Sequence, residues 1–187
     1  MITDMFHKNT SKVLTLFSIS PGSKFTRNEI KEKTLLHNIP LDHAINLLLN
    51  NKILIKEKRL LGLNFENSNV KAIVDLMHRE YIRLKEIPLK IYYLLMDISS
   101  ELSEKSSIKN IYLFGSYAKL IHTEKSDVDL AIVSKKGDNI AKEIKKIIAK
   151  IEKKYNKAIE IHFFDENDMK QKDKLINEIL RNSVVIF

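Results

Sequence analysis

The chain has 187 residues, 30% charged and 44% hydrophobic, a balance that describes a folded, soluble protein and excludes a disordered or fibrous one. Cysteine is absent, which excludes disulfides and thiolate metal sites. Net charge is +8, and residues 1–65, with 10 basic and 5 acidic side chains, hold +5 of it. That asymmetry favours a nucleic-acid surface near the N-terminus. The longest strongly apolar run, Ile91 to Met96, is far short of the ~20 residues that span a bilayer, so no membrane association is expected. Met1-Ile2-Thr3-Asp4 lacks the basic start and apolar core of a signal peptide, and a cytoplasmic location is the expectation.

Residues 1–65 read as helix, helix, helix, hairpin. The first helix is expected from about Met5 to Ile19, with Val13, Leu14 and Phe17 on one face and a stop at Pro21-Gly22. Thr26 and Glu29 have the spacing of a capping box, which predicts a second helix over Arg27 to Lys33. A third, about Leu41 to Asn51, buries Leu41, Ala44, Ile45 and Leu48. Two apolar runs, Ile53 to Ile55 and Leu60 to Phe65, flank the charged turn Lys56-Glu57-Lys58-Arg59. The order looks like a winged helix-turn-helix domain. On that reading His43, Asn46 and Asn50 face duplex DNA from the third helix, and Lys56, Lys58 and Arg59 form the wing tip. A solvated helix face, or a domain for protein contacts, is the competing explanation.

Residues 66–105 carry two amphipathic helical patterns. Val70, Ile73, Val74, Met77, Tyr81 and Leu84 recur at spacings of three and four, and after Pro88 so do Ile91, Leu94, Leu95, Ile98 and Leu102. These are expected to form a helical connector that packs on a neighbouring domain or supplies a homodimer interface.

From residue 106 onward strands alternate with helices. Ile111-Tyr112-Leu113-Phe114 reads as a buried strand, broken by Gly115-Ser116. Ser116 is expected to cap a short helix running to about Ile121, whose free N–H groups suit a phosphate. Beyond Ser116, after ten intervening residues, come Asp127-Val128-Asp129, at the start of a strand reaching Val133. Side chains two apart on a strand share a face, so Asp127 and Asp129 can hold a hard cation between them. A helix from about Asp138 to Tyr155, a strand from Ala158 to Phe164, a helix from about Glu166 to Arg181 and a terminal strand Val184 to Phe187 complete the pattern.

The Gly-Ser-x10-Asp-x-Asp pattern, with its flanking strands, resembles the DNA polymerase β-like nucleotidyltransferases, specifically the minimal, antitoxin-type nucleotidyltransferases of bacteria and archaea. The resemblance covers roughly Lys109 to Phe187. It implies an α/β (α+β) nucleotidyltransferase fold with a mixed sheet at residues 106–187, after a winged helix-turn-helix domain at 1–65 and a connector at 66–105. It also implies two Mg²⁺ ions on Asp127 and Asp129, with Glu160 as the third carboxylate on the next strand. ATP or another nucleoside triphosphate would bind through Gly115, Ser116 and Lys119, although Lys119 reads equally well as a helix-surface lysine. His162 shares the face of Glu160 and is either an assistant or a structural residue. Two departures from the family pattern stand out: glutamate at 160 where aspartate is usual, and Leu120 where glycine is common.

The implied activity is transfer of AMP from ATP to a protein or another hydroxyl acceptor, the protein being a toxin of the HEPN class in the antitoxin-like case. The chain itself has no Arg-x4-His pair of the kind such nucleases carry. The competing expectation is a DNA-binding regulator whose nucleotidyltransferase-like domain senses nucleotide or is inactive. A template-independent RNA or small-molecule transferase is a third option.

Overall fold

The apolar faces anticipated for residues 1–65 do become a core. Lys8–Ile19 (α1) buries Val13, Leu14 and Phe17, and Asn38–Asn50 (α3) buries Leu41, Ala44, Ile45 and Leu48. The structure is a computed structural model that describes residues 7–84, 87–135, 140–171 and 173–186. It divides into two compact units, Met1–Glu86 and Ile87–Phe187.

In the first unit Arg27–Thr34 (α2) begins at the anticipated capping box. The Thr26 N–H donates to Glu29 Oε2 at 2.7 Å, and the Glu29 N–H donates to Thr26 Oγ1 at 3.3 Å. Helix α3 starts a turn earlier than expected because Pro40 sits within its first turn, where a missing N–H leaves no bond unmade. Phe25–Thr26 (β1), too short to leave a sequence signal, joins Leu54–Glu57 (β2) and Leu60–Leu63 (β3) in an antiparallel sheet of order β1-β3-β2. The hairpin tip is narrower than the four-residue turn expected. Lys56 and Glu57 pair with Leu61 and Leu60, which leaves only Lys58 and Arg59 in the loop. Lys58 sits there at φ 55°, a left-handed conformation that disfavours a side chain.

The stretch expected to form a connector is shared between the units. Asn69–Arg83 (α4) buries Val70, Ile73, Val74 and Met77 and packs on α1. Leu89–Leu102 (α5) belongs to the second unit and packs on Ala141–Tyr155 (α7). Both apolar stripes are therefore covered within their own units, α5 burying Tyr93 completely.

The second unit is built on a four-stranded mixed sheet of order β6-β5-β4-β7. Ile108–Phe114 (β4) runs antiparallel to Val128–Ser134 (β5) and to Val184–Val185 (β7), while Ile159–Phe164 (β6) runs parallel to β5. One face presents Ile111, Leu113, Leu130 and Ile132, all fully buried. The other presents Phe114 and Ala131, covered by Ile179 of Lys174–Asn182 (α8) with Tyr112, Phe164, Met169 and Leu175 around them.

Two expectations are corrected here. Ser116 is not an N-cap: the cap position falls two residues earlier, on Phe114, and the short helix Gly115–Ala118 (α6) ends well before Ile121. The helix expected over residues 166–181 is interrupted. Asp165 accepts the N–H groups of Asn167 and Asp168 to form a turn, and Asp173 caps α8 through the N–H groups of Leu175 and Ile176. The expected starts at Met5 and Asp138, and the end at Phe187, lie outside the described residues.

Helices α5 and α7 are joined by a polar contact inside their apolar seam. Asp97 is buried and accepts the Tyr155 hydroxyl at 2.7 Å and the Lys154 ammonium at 2.8 Å. Burial, then the Asp97 charge, push the Tyr155 phenol far above its usual range, so it remains a donor at any ordinary pH. Asp97→Ala should lower unfolding free energy by about 2–4 kcal/mol, since it removes the acceptor and leaves a void. Urea denaturation at neutral pH measures this, with Lys154→Ala expected to be milder because that ammonium is partly exposed.

Candidate functional site

The end of β4 and the start of β5 meet because antiparallel pairing sets Phe114 opposite Asp129. The chain then turns sharply into α6 with Gly115 at φ 67°, a conformation open to glycine. A second constraint is steric. A Cβ at Gly115 would stand 1.9 Å from Asp129 Oδ2 and 2.7 Å from its Cγ. The missing side chain is thus the space that the carboxylate occupies. The Ser116 backbone N–H acts as a hydrogen-bond donor on the same carboxylate.

On the far side, parallel pairing places Glu160 beside Asp129. Asp127 stands exposed just ahead of β5. The Asp129 carboxyl is held above the usual carboxylate range, first by burial and next by the charge of Glu160. Asp127 pushes in the same direction, while the Ser116 N–H and His162 pull it back. His162 lies 3.1 Å from Glu160 and stands edge-on to Phe114 at 5.5 Å between centroids. Three carboxylates whose charges oppose one another therefore share one corner of the sheet.

Among the described residues no group of three or more His, Asp or Glu side chains converges closely enough to enclose a metal ion. The cluster is open, and an open cluster suits Mg²⁺, which is commonly held by one or two carboxylates together with substrate phosphates. The cradle at Gly115 and the mutual repulsion around Asp129 are the features of this chain that fit such a cation.

Lys119 ends α6 and forms an ion pair with Glu178 of α8. Its charge is thus committed to the α6–α8 contact, an arrangement that its place after the motif did not reveal. Leu120, noted above as a departure from the glycine common at that position, stands at φ 58°, a left-handed conformation that favours glycine. The loop that follows is fastened. His122 stacks on Tyr117 at 4.4 Å, Lys157 lies over the same ring and donates to the Glu124 carbonyl, and the Ser126 hydroxyl accepts the Thr123 N–H.

In the first unit, Asn46, Lys56, Lys58 and Arg59 line one cavity of about 500 Å³ between α2, α3 and the hairpin. His43 and Asn50 are exposed on α3 but are not part of that lining. Arg27, which the sequence did not single out, is part of it. It donates to both oxygens of Asp42, at 2.6 and 2.9 Å, and that contact holds the Asp42 carboxyl below its usual range. Its signal was an arginine just after the capping threonine, a position that reads as ordinary helix surface until α3 is folded against it.

Residues 95–186 match the model of the family described as "Nucleotidyltransferase domain". The matched span lies in the second unit and contains Gly115, Ser116, Asp127, Asp129 and Glu160, and it supports nucleotidyl transfer as the chemistry of this part of the chain. The mixed sheet fits that fold. A solved structure described as the crystal structure of a toxin-antitoxin with AMP-PNP is 22% identical, covering 52% of this chain and 70% of that one, with a TM-score of 0.34. No curated protein matches the chain significantly.

Two substitutions separate conformation from contact. Gly115→Ala should destabilise by about 2–4 kcal/mol, because it combines positive φ with collision against Asp129. Leu120→Gly, at similar φ but exposed, should be neutral or slightly stabilising. Thermal melts of the two variants test this.

A pH-dependence follows from Asp129. Its folded-state proton affinity exceeds that of the unfolded chain, so its contribution to stability is full below the unfolded carboxylate range and is lost as pH rises through the folded value. Asp129→Asn should therefore raise stability at neutral pH and flatten the loss of stability that the wild type shows as pH rises above the ordinary carboxylate range. Denaturation measured from that range up to neutral pH decides it.

Proposed function

We propose that the second unit transfers a nucleoside monophosphate, with ATP as donor, to a hydroxyl of another protein. The observation that carries the reading is the fit of the Asp129 carboxylate into the space left by Gly115, beside Glu160, within a span matching the nucleotidyltransferase family.

In this proposal Asp127 and Asp129 are the residues that would hold Mg²⁺, with Glu160 as a third ligand. Magnesium held there would compensate phosphate charge and acidify the acceptor hydroxyl. The protein's own part is to fix Asp129. The Ser116 N–H and the β4–β5 register orient that carboxylate before substrate arrives, so little reorganisation is needed during reaction. Gly115 leaves the Asp129 carboxylate its place against the turn, beside which the triphosphate would bind. Lys119 reaches the phosphates only by leaving Glu178, so its contribution is conditional on that exchange. Protein adenylylation of the antitoxin kind, with a HEPN-class toxin as acceptor, rests on the motif's resemblance to minimal nucleotidyltransferases.

For the first unit we propose a winged helix-turn-helix that contacts duplex DNA. The supporting observation is the clustering of Asn46 with the hairpin cations Lys56, Lys58 and Arg59. If that contact is the main role, the second unit acts as a nucleotide sensor and the chain as a regulator.

Incubating the full chain with labelled ATP and Mg²⁺ in cell extract tests the transferase reading. A protein band should acquire label, and chelation of Mg²⁺ should abolish it. Asp127→Ala and Asp129→Ala should each reduce labelling by roughly a hundredfold or more, since each removes charge compensation worth several kcal/mol in the transition state. Unchanged labelling in either variant would sink the assignment, whereas unchanged labelling in Glu160→Ala removes only the third ligand.

A further inference from the structure

The cavity in the first unit has a composition that a flat DNA-contacting surface does not need. Its floor is aliphatic, made by Ile45, Leu49 and Leu61, with Ile45 and Leu61 buried. Asn28, Asn46, Lys56, Lys58 and Arg59 belong to the same lining. The only carboxylate in the lining, Asp42, is neutralised by Arg27 through two hydrogen bonds. The uncompensated charge is thus positive and lies on the hairpin.

Shape adds a second constraint. A volume of about 500 Å³ falls within the range of pockets that enclose small ligands. A duplex backbone is convex and can touch the cationic border, but it cannot fill a concavity with an aliphatic floor. A ligand that suits this lining combines apolar surface, hydrogen-bonding edges and an anionic group. Amide side chains match the edge of a purine base, and the hairpin cations match a phosphate.

Backbone conformation adds a third. Lys58 is held at φ 55° at the tip of the hairpin, where glycine or asparagine would be unstrained. Such strain concentrates where a side chain serves a ligand.

We propose that this cleft binds a nucleoside phosphate, with the base on the Ile45, Leu49 and Leu61 floor, its edge on Asn28 and Asn46, and the phosphate on Lys58 and Arg59. The ligand is a free nucleotide or the phosphorylated end of a single strand, which present the same chemistry. The proposal is independent of transfer by the second unit. It shares Asn46, Lys56, Lys58 and Arg59 with the duplex contact proposed above, and the experiment separates the two.

The test is a titration of the full chain, methyl-labelled on isoleucine and leucine, with AMP in the absence of Mg²⁺. Saturable shifts of the Ile45, Leu49 and Leu61 methyls are expected, whatever happens in the second unit. A double variant, Lys58→Gly with Arg59→Ala, should weaken binding by about tenfold or more through loss of charge-assisted contacts. Its melting temperature should not fall, because glycine accepts the positive φ. A 5′-phosphorylated single-stranded oligonucleotide, run in parallel, identifies the source: tighter binding than AMP assigns a strand end, weaker binding a free nucleotide, and both support the site. Three results would overturn the proposal: no methyl shifts with AMP or with the oligonucleotide, equal shifts with inorganic phosphate alone, or shifts only with duplex DNA.

Discussion

The contact between the Gly115 backbone and the Asp129 carboxylate organises the second unit. It joins the end of one strand to the start of its neighbour, and it requires three things together: an antiparallel register, a left-handed turn, and the absence of a Cβ. None of these suffices by itself. A shift of one residue in the β4–β5 pairing would send Asp129 to the opposite face of the sheet. A side chain at 115 would displace the carboxylate even in correct register. The acid corner is therefore a consequence of backbone geometry, and its residues gain their properties from that placement.

Electrostatics at this corner run against stability. A partly buried carboxylate beside Glu160 and Asp127 favours the protonated form, and only the Ser116 N–H and His162 offset this. On the reading proposed above, a cation held there would relieve this repulsion. The rest of the unit compensates with ordinary packing. Ile111, Leu113, Leu130 and Ile132 fill one face of the sheet, and α8 closes the other through Ile179. Asp97 and Tyr155 add a directional contact between α5 and α7 that fixes how those helices meet.

The first unit solves a different problem with similar means. Its core comes from α1, α2, α3 and α4, and the hairpin strands contribute little beyond Leu54, Leu61 and Leu63. That leaves the Lys58–Arg59 tip projecting as charge on a two-residue loop. The Arg27–Asp42 clamp ties the start of α2 to α3, while Lys24, just ahead of β1, pairs with Glu57 beside the hairpin tip at 2.6 Å. With both acids engaged, the cations at the tip are left to set the local potential.

Much of this architecture was legible in the residues because it rests on local rules. The Thr26–Glu29 capping box, the apolar periodicity of α1, α3, α4 and α5, and the strands around Gly115 and Asp129 all depend on neighbours within a few positions. The site motif was legible for the same reason, since Gly115 and Ser116 break a strand and Asp127 and Asp129 begin one. What only the tertiary structure decided were pairings between distant segments. The Ser116 N–H turned toward Asp129, Lys119 toward Glu178, and Arg27 toward Asp42, each choice set by which element packed alongside. The connector expected over residues 66–105 was divided because an apolar stripe shows that a helix must be covered, but not by what. The cleft of the first unit was invisible for the same reason: its floor, amides and cations come from three separate stretches of chain, and a concavity has no sequence period.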